Sequence, residues 1–182
     1  MQIQEEYKET IKEKILYRSH FCHEVVSADR EELKRFCLDI KDYVEILNSD
    51  IIFVDIDICK TKSFSDLLFQ ALNSIYNDKN FDEYITLQDL SEIDESMEES
   101  KLDQMFKLVL ADLDIEGIMV LLILENYDCS KNVWTSSSYG NMRDYMCENG
   151  NLSLIVSSTL PVEQVSDEPK GPSPFFNIFS EE

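Results

Sequence analysis

Residues 117–128, GIMVLLILENYD, hold the feature that most constrains this chain: an unbroken apolar run from 118 to 124 that ends at the carboxylate of Glu125. An apolar run of that length with polar residues at both ends reads as a strand buried on both faces. Strands of this kind occur mainly in parallel sheets covered by helices on each side. In such folds chemistry gathers just past the carboxyl ends of the inner strands. Glu125 is therefore the first candidate for a functional side chain.

The flanking sequence supplies the remaining layers. Ile3, Tyr7, Ile11 and Ile15 recur every four residues among Lys and Glu, the pattern of a short amphipathic helix within residues 1–20. Residues 21–28, FCHEVVSA, read as a first strand. Asp29 opens a helix with Glu32 at capping-box spacing, and its buried stripe is Leu33, Phe36, Cys37, Ile40, Val44 and Leu47. Residues 51–58, IIFVDIDI, read as a second strand that alternates at Asp55 and Asp57. Ser63 and Asp66 cap a third helix, and Ser100 with Asp103 a fourth. Residues 78–100 carry nine acidic residues against one Lys and read as a solvated insertion. Residues 129–138 read as a polar loop carrying Trp134, then a short helix follows through Tyr139, Met142 and Met146. LSLIV at 152–156 is a fourth strand, ending in Ser157, Ser158 and Thr159.

Strands alternating with helices, each connection long enough for a crossover, specify an α/β fold. We expect a parallel sheet of about four strands sandwiched by helices in three layers, with residues 1–20 as an N-terminal helix and 21–182 as a single domain. The absence of Gly and Pro before Gly117 fits long elements joined by short polar links, and leaves no Gly-built loop in that half.

Charge narrows the partners. The net charge of −21 opposes contact with a nucleic-acid backbone or an anionic membrane. No apolar run approaches the ~20 residues of a spanning helix. Five cysteines at irregular spacing read as reduced thiols in a cytoplasmic protein. His20, Cys22 and His23 lie close in sequence, but strand alternation separates Cys22 from His23, so no metal site is expected.

The order of strands and helices, together with VLLILENYD, NLSLIVSS and SPFFNIF, resembles the nucleotide-binding core of P-loop ATPases of the AAA+/STAND type across roughly residues 20–179. The resemblance implies a Walker A loop between the first strand and its helix. There this chain reads Ser27, Ala28, Asp29, Arg30, Glu31 and Glu32, with no Gly and no Lys-Ser or Lys-Thr pair. Backbone N–H groups cannot converge on phosphates without those glycines, and the carboxylates repel them. At the Walker B position Leu124 stands where the family has its metal-binding Asp, with Glu125 in the place of the water-activating Glu; a Leu cannot ligate Mg²⁺. Ser158 falls at the family's polar sensor position. The family's fifth strand and helical lid, which follow FNIF, are missing from the pattern, so the first strand is expected at a sheet edge.

The resulting expectation is a degenerate, non-catalytic ATPase-like module that acts as a protein-interaction or regulatory subunit. No cofactor is expected, ATP with magnesium being disfavoured. The partner is another protein or a second copy, with Phe175, Phe176 and Phe179 as a docking patch or a final core plug. Two alternatives stay open: an ATP-binding domain completed by a partner chain, and an acidic mimic of nucleic acid that inhibits a basic protein.

Overall fold

A computed structural model of the chain describes residues 3, 5–47, 50–78, 93–165 and 178–179. The elements are α1 (Glu5–Leu16), β1 (Cys22–Val26), α2 (Arg30–Leu47), β2 (Ile51–Asp57), α3 (Phe64–Tyr76), α4 (Glu99–Ile115), β3 (Met119–Glu125), α5 (Ser136–Glu148), β4 (Leu152–Ser158) and α6 (Val162–Val165). The strands form one parallel sheet in the order β1-β4-β3-β2. β3 and β4 are therefore inner strands, which explains their near-continuous apolar sequence, while β2 at the edge alternates.

Alternation along the strands divides the core in two. Ile52, Val54, Ile56, Val120, Leu122, Leu124, Leu154 and Val156 pack against α3, α4 and α5 on one face. Ile51, Met119, Leu121, Ile123 and Ile155 pack against α1 and α2 on the other, where Ile11, Ile15, Phe36 and Ile40 are buried. Each such side chain withdrawn from water contributes about 1.5–3 kcal/mol. The result is the three-layer α/β arrangement expected from the sequence, with α1 inside the second core.

β1 is the outermost strand on its side among the described residues, as expected. Its outer side is partly covered. The Tyr7 hydroxyl donates to the Glu24 carbonyl at 2.8 Å, and the Glu24 carboxylate accepts from the Val162 N–H at 2.8 Å. Val162 and Val165 are buried, and Ile178 and Phe179 pack partly buried against the larger core. Phe175 and Phe176 lie outside the described residues, as does most of the acidic stretch 78–100.

Three local expectations are corrected. α4 begins at Glu99, one residue before the expected cap, and Glu98 at its N-cap makes no side-chain cap bond. Asp103 instead accepts from the Tyr145 hydroxyl and pairs with Lys107 at 3.2 Å. The stretch 129–138 is no open loop: a tight helical turn covers Tyr127–Asn132, and Thr135 caps α5 by a reciprocal pair of bonds with Ser138. Trp134 is buried there against Phe64, Tyr127 and Tyr139. Finally, the thiols are not all reduced: Cys59 and Cys129 form a disulfide, with Cα atoms 5.3 Å apart. β2 lies in register beside β3, so the turns that leave them run side by side. Spacing in the sequence carries no trace of that. Cys22 and Cys37 are free and buried, and Cys147 is free and exposed.

Candidate functional site

The carboxyl ends of the four strands and the amino end of α2 converge on one polar surface. α2 starts there because Asp29 caps it. The Asp29 carboxylate accepts from the N–H of Glu31 at 2.9 Å and, at 3.4 Å, from that of Glu32. These are donors that a helix start leaves unsatisfied and that would otherwise attract an anion. Ser27 Oγ accepts from the Asp29 N–H at 3.1 Å and donates to Glu32 at 2.5 Å. Glu32 also accepts from the N–H of Ile3 at 2.7 Å. The expected capping box is thus altered: Glu32 turns to Ser27 and to the chain's amino terminus instead of closing on Asp29. The Ser27 bond, then the Ile3 bond, holds the Glu32 carboxyl below its ordinary range.

Glu125 ends β3 on the α2 side of the sheet, directly across from Asp57 of β2. Asp55, two residues earlier, shares that face by strand alternation. Three carboxylates therefore stand together where the sequence singled out one. Burial, and then the Glu125 charge, pushes the Asp55 carboxyl up to about 6. Burial, and then the Asp57 charge, raises Glu125 as well. Asp57 behaves in the opposite way: burial opposes its ionisation, but bonds from Asn126, Lys60 and the Cys59 N–H outweigh it and lower its pKa. The Cys37 thiol of α2 lies beside this cluster, near Ser157 and Glu125, and burial pushes its own pKa up.

A chain of polar contacts ties the rim together. Asn126, in the left-handed region at φ 54, donates to Asp57 at 2.8 Å and accepts from Arg30. Arg30 also pairs with Asp128 at 2.6 Å. Asp128 accepts from the Thr159 N–H at 3.4 Å. Burial works against ionisation of Asp128, yet Thr159 and Arg30 hold its carboxyl below the usual range. The first turn of α2, the end of β2, the turn after β3 and the end of β4 are linked through these groups, and the disulfide joins the β2 and β3 exits covalently.

Of the sequence candidates, Ser27, Ala28, Asp29, Arg30 and Glu125 all fall on this surface. Ser158 does not face the cluster: it is buried on the opposite face of β4, and its Oγ accepts from the Leu160 N–H at 3.2 Å. Phe179 packs on the larger core. Asp55, Asp57, Cys37, Asn126 and Asp128 also stand at this surface, beyond the candidates that the sequence singles out. The alternation Asp55, Asp57 at a strand's end was the visible signal for the first two. The others needed the strand order.

The donor set does not fit a magnesium triphosphate. The N–H groups of Glu31 and Glu32 already serve Asp29, Leu124 is fully buried, and the nearby cations already face carboxylates: Lys34, Lys41 and Lys60 those of Asp55, Asp57 and Glu125, and Arg30 that of Asp128. A phosphate oxygen held about 4 Å from one such carboxylate is repelled by about 4 kcal/mol at an effective dielectric of about 20. Among the described residues no group of His, Cys, Asp and Glu is arranged to hold a metal ion, and no helix is long and apolar enough to cross a membrane.

No protein-family model matches the chain, and no curated protein matches it in sequence. Solved structures do match in fold. Drosophila ORC bound to DNA superposes with a TM-score of 0.61 at 9% identity, over 88% of this chain and 38% of that one. The Aeropyrum pernix ORC2 protein, in ADPNP and ADP complexes, gives 0.56 at 8% identity, over 91% of this chain and 45% of that one. A Walker-type ATPase of Pyrococcus abyssi gives 0.60 at 12%, over 87% and 45%. The chain thus spans less than half the length of each of these structures. At such identities the likeness is one of fold: a three-layer α/β core similar to those in these ORC structures and in the Walker-type ATPase.

Proposed function

We propose that this chain is a non-catalytic, ATPase-like module that works through protein contacts, as a regulator or subunit of a larger assembly. The observation that carries this reading is the amino end of α2. In an ATPase those N–H groups receive phosphate; here the Asp29 carboxylate takes two of them, from a position covalently fixed beside the helix. A tethered anion competes at a high effective concentration with any free one. The fold likeness to nucleotide-binding proteins supplies the frame, and the residues within that frame favour an internal partner over a nucleotide. One neighbour is known bound to DNA, but a net charge of −21 argues against that contact for this chain.

The test is calorimetry with ATP and magnesium, alongside a phosphate-release assay. We expect no binding in the micromolar range and no hydrolysis above background. Glu125→Gln should leave both unchanged. Micromolar affinity for ATP that depends on magnesium would overturn the proposal.

A further inference from the structure

We infer that the amino-end surface of the sheet, opposite the carboxylate cluster, docks a protein partner with an apolar centre and a Lys/Arg rim. The inference rests on the reading that this chain works through protein contacts, and it names where and with what chemistry. The link from α1 to β1 runs beneath the sheet at this end. Arg18, at φ 50, reaches Asp50 at 2.9 Å ahead of β2 and the Gly117 carbonyl at 3.3 Å ahead of β3. His20 then meets the Leu152 carbonyl at the start of β4 at 2.6 Å, before the chain enters β1.

Large apolar side chains that the fold leaves in water lie at the same end of the sheet, at the carboxyl ends of the helices that lead into β1, β2 and β3. Tyr17 is 75% exposed, Ile46 at the end of α2 is 80% exposed, and Ile115, the last residue of α4, is 80% exposed. They are the most exposed large apolar residues described, and all three lie at this end. Single exposed apolar residues are ordinary; their concentration at one end is the signal.

The charges beside them point the same way. Helix carboxyl ends favour Lys and Arg. Yet α2 and α4 have no basic residue in the last turn, and Glu45, Asp112, Asp114 and Glu116 sit in or just past those turns. Glu13 lies one turn before Tyr17. None of these five carboxylates forms an ion pair among the described residues. Arg18 is already paired with Asp50. Acidic groups in positions that work against the helix dipoles do nothing for folding, but they complement a basic ligand. Like charge repels a second copy of this chain, a nucleic acid and an anionic lipid surface alike. A protein surface with basic residues around an apolar centre satisfies both the isoleucines and the carboxylates.

The probe is a designed amphipathic helical peptide of Leu and Lys, titrated by fluorescence anisotropy at about 0.15 M salt to screen diffuse attraction. The triple variant Tyr17→Ser, Ile46→Ser, Ile115→Ser should weaken binding by about 10- to 100-fold, the loss typical of removing several anchors. Leu38→Ser with Leu108→Ser, exposed apolar residues on α2 and α4 away from this end, should stay within about twofold of the unaltered chain. Hydrogen exchange on the unaltered chain should show peptide protection at residues 45–47 and 112–118. Equal loss in both variants, or no loss in the triple one, would overturn the inference, as would protection confined to the carboxylate cluster. Circular dichroism controls for folding, and the substituted side chains are too exposed to hold the core. The two readings separate cleanly. Micromolar ATP binding with an intact effect of the triple variant refutes the proposed function and leaves this surface standing, and the reverse result does the opposite.

Discussion

Replacing Asp55 by Asn should stabilise the protein at neutral pH and do nothing near pH 4. In the folded chain the Asp55 carboxyl titrates at about 6 against an ordinary 3.8, because burial and the Glu125 charge disfavour its ionised form. The folded state therefore binds a proton that the unfolded state has already released between those two values. The sign follows: this group's contribution is complete below about pH 4 and is lost as pH rises through about 6. A shift of that size corresponds to about 3 kcal/mol if the carboxyl were fully enclosed. Asp55 keeps a water-exposed flank at the sheet edge, and solvent screening there reduces the figure to about 1–1.5 kcal/mol. Asn has the same shape and no charge to desolvate.

Urea unfolding followed by circular dichroism, at about pH 4 and about pH 7.5, measures the difference directly. The variant should gain about 1 kcal/mol at the higher pH and match the parent at the lower one. Glu125→Gln should act in the same direction, since burial and Asp57 raise its carboxyl too. The double variant should gain less than the sum, because removing either charge relieves the other. An Asp55→Asn variant that is less stable than the parent at pH 7.5, or equally altered at both pH values, would refute the account of the cluster as mutually repelling carboxylates.

Three further outcomes are expected. Arg30→Ala should cost about 1 kcal/mol and speed hydrogen exchange across residues 126–132, because Asp128 and Asn126 lose their shared partner; unchanged exchange there would show that the bridge orders nothing. Reduction with dithiothreitol should lower stability by about 4 kcal/mol, the entropy of a closed loop of this length, since the disulfide spans a sequence separation of 70; Cys59→Ser should reproduce the drop and abolish the response to reductant, and a parent chain indifferent to reductant would show the two thiols unlinked. Replacing Phe175 and Phe176 by Ser should lower the melting temperature if they plug the core, by an amount corresponding to about 3–6 kcal/mol, or abolish association with melting intact if they dock a partner; a variant that changes neither removes both roles.

What was legible in the sequence follows the physics of burial. The run at 118–124 fell within one residue of β3, Met119–Glu125, because a strand covered on both faces has no polar positions to blur its limits. Cys37 was placed in the core from its helical period alone, and it is 2% exposed. The site was read only in part, because its geometry is made between elements. Glu125 stood out at the end of its strand, whereas Asp57 became its neighbour only once β2 lay beside β3 in register. Arg30 was the one cation at the start of α2, but its partners lie more than ninety residues away, beyond the reach of periodicity or capping rules. Resemblance puts Ser158 at a polar strand end, while alternation along β4 turns Ser157, not Ser158, toward Cys37 and Glu125.

The rim of bonds at the carboxyl end bears on how such a module is controlled. A nucleotide acts as a switch only when it binds two conformations with different affinity. On the proposed reading, contacts within the chain stand in this place: Asp29 on the α2 amino end, Arg30 across to Asp128, Asn126 to Asp57, and a disulfide between the exits of β2 and β3. Under the proposed reading these bonds tie together the segments that leave β2 and β3 and the first turn of α2. On the proposed function, control of the chain comes from occupancy of a surface by another protein, as the peptide titration and the ATP calorimetry together test. The exposed isoleucines at the opposite end, and carboxylates that form no ion pair among the described residues, offer a surface whose chemistry suits that role, and they leave the bonded rim undisturbed.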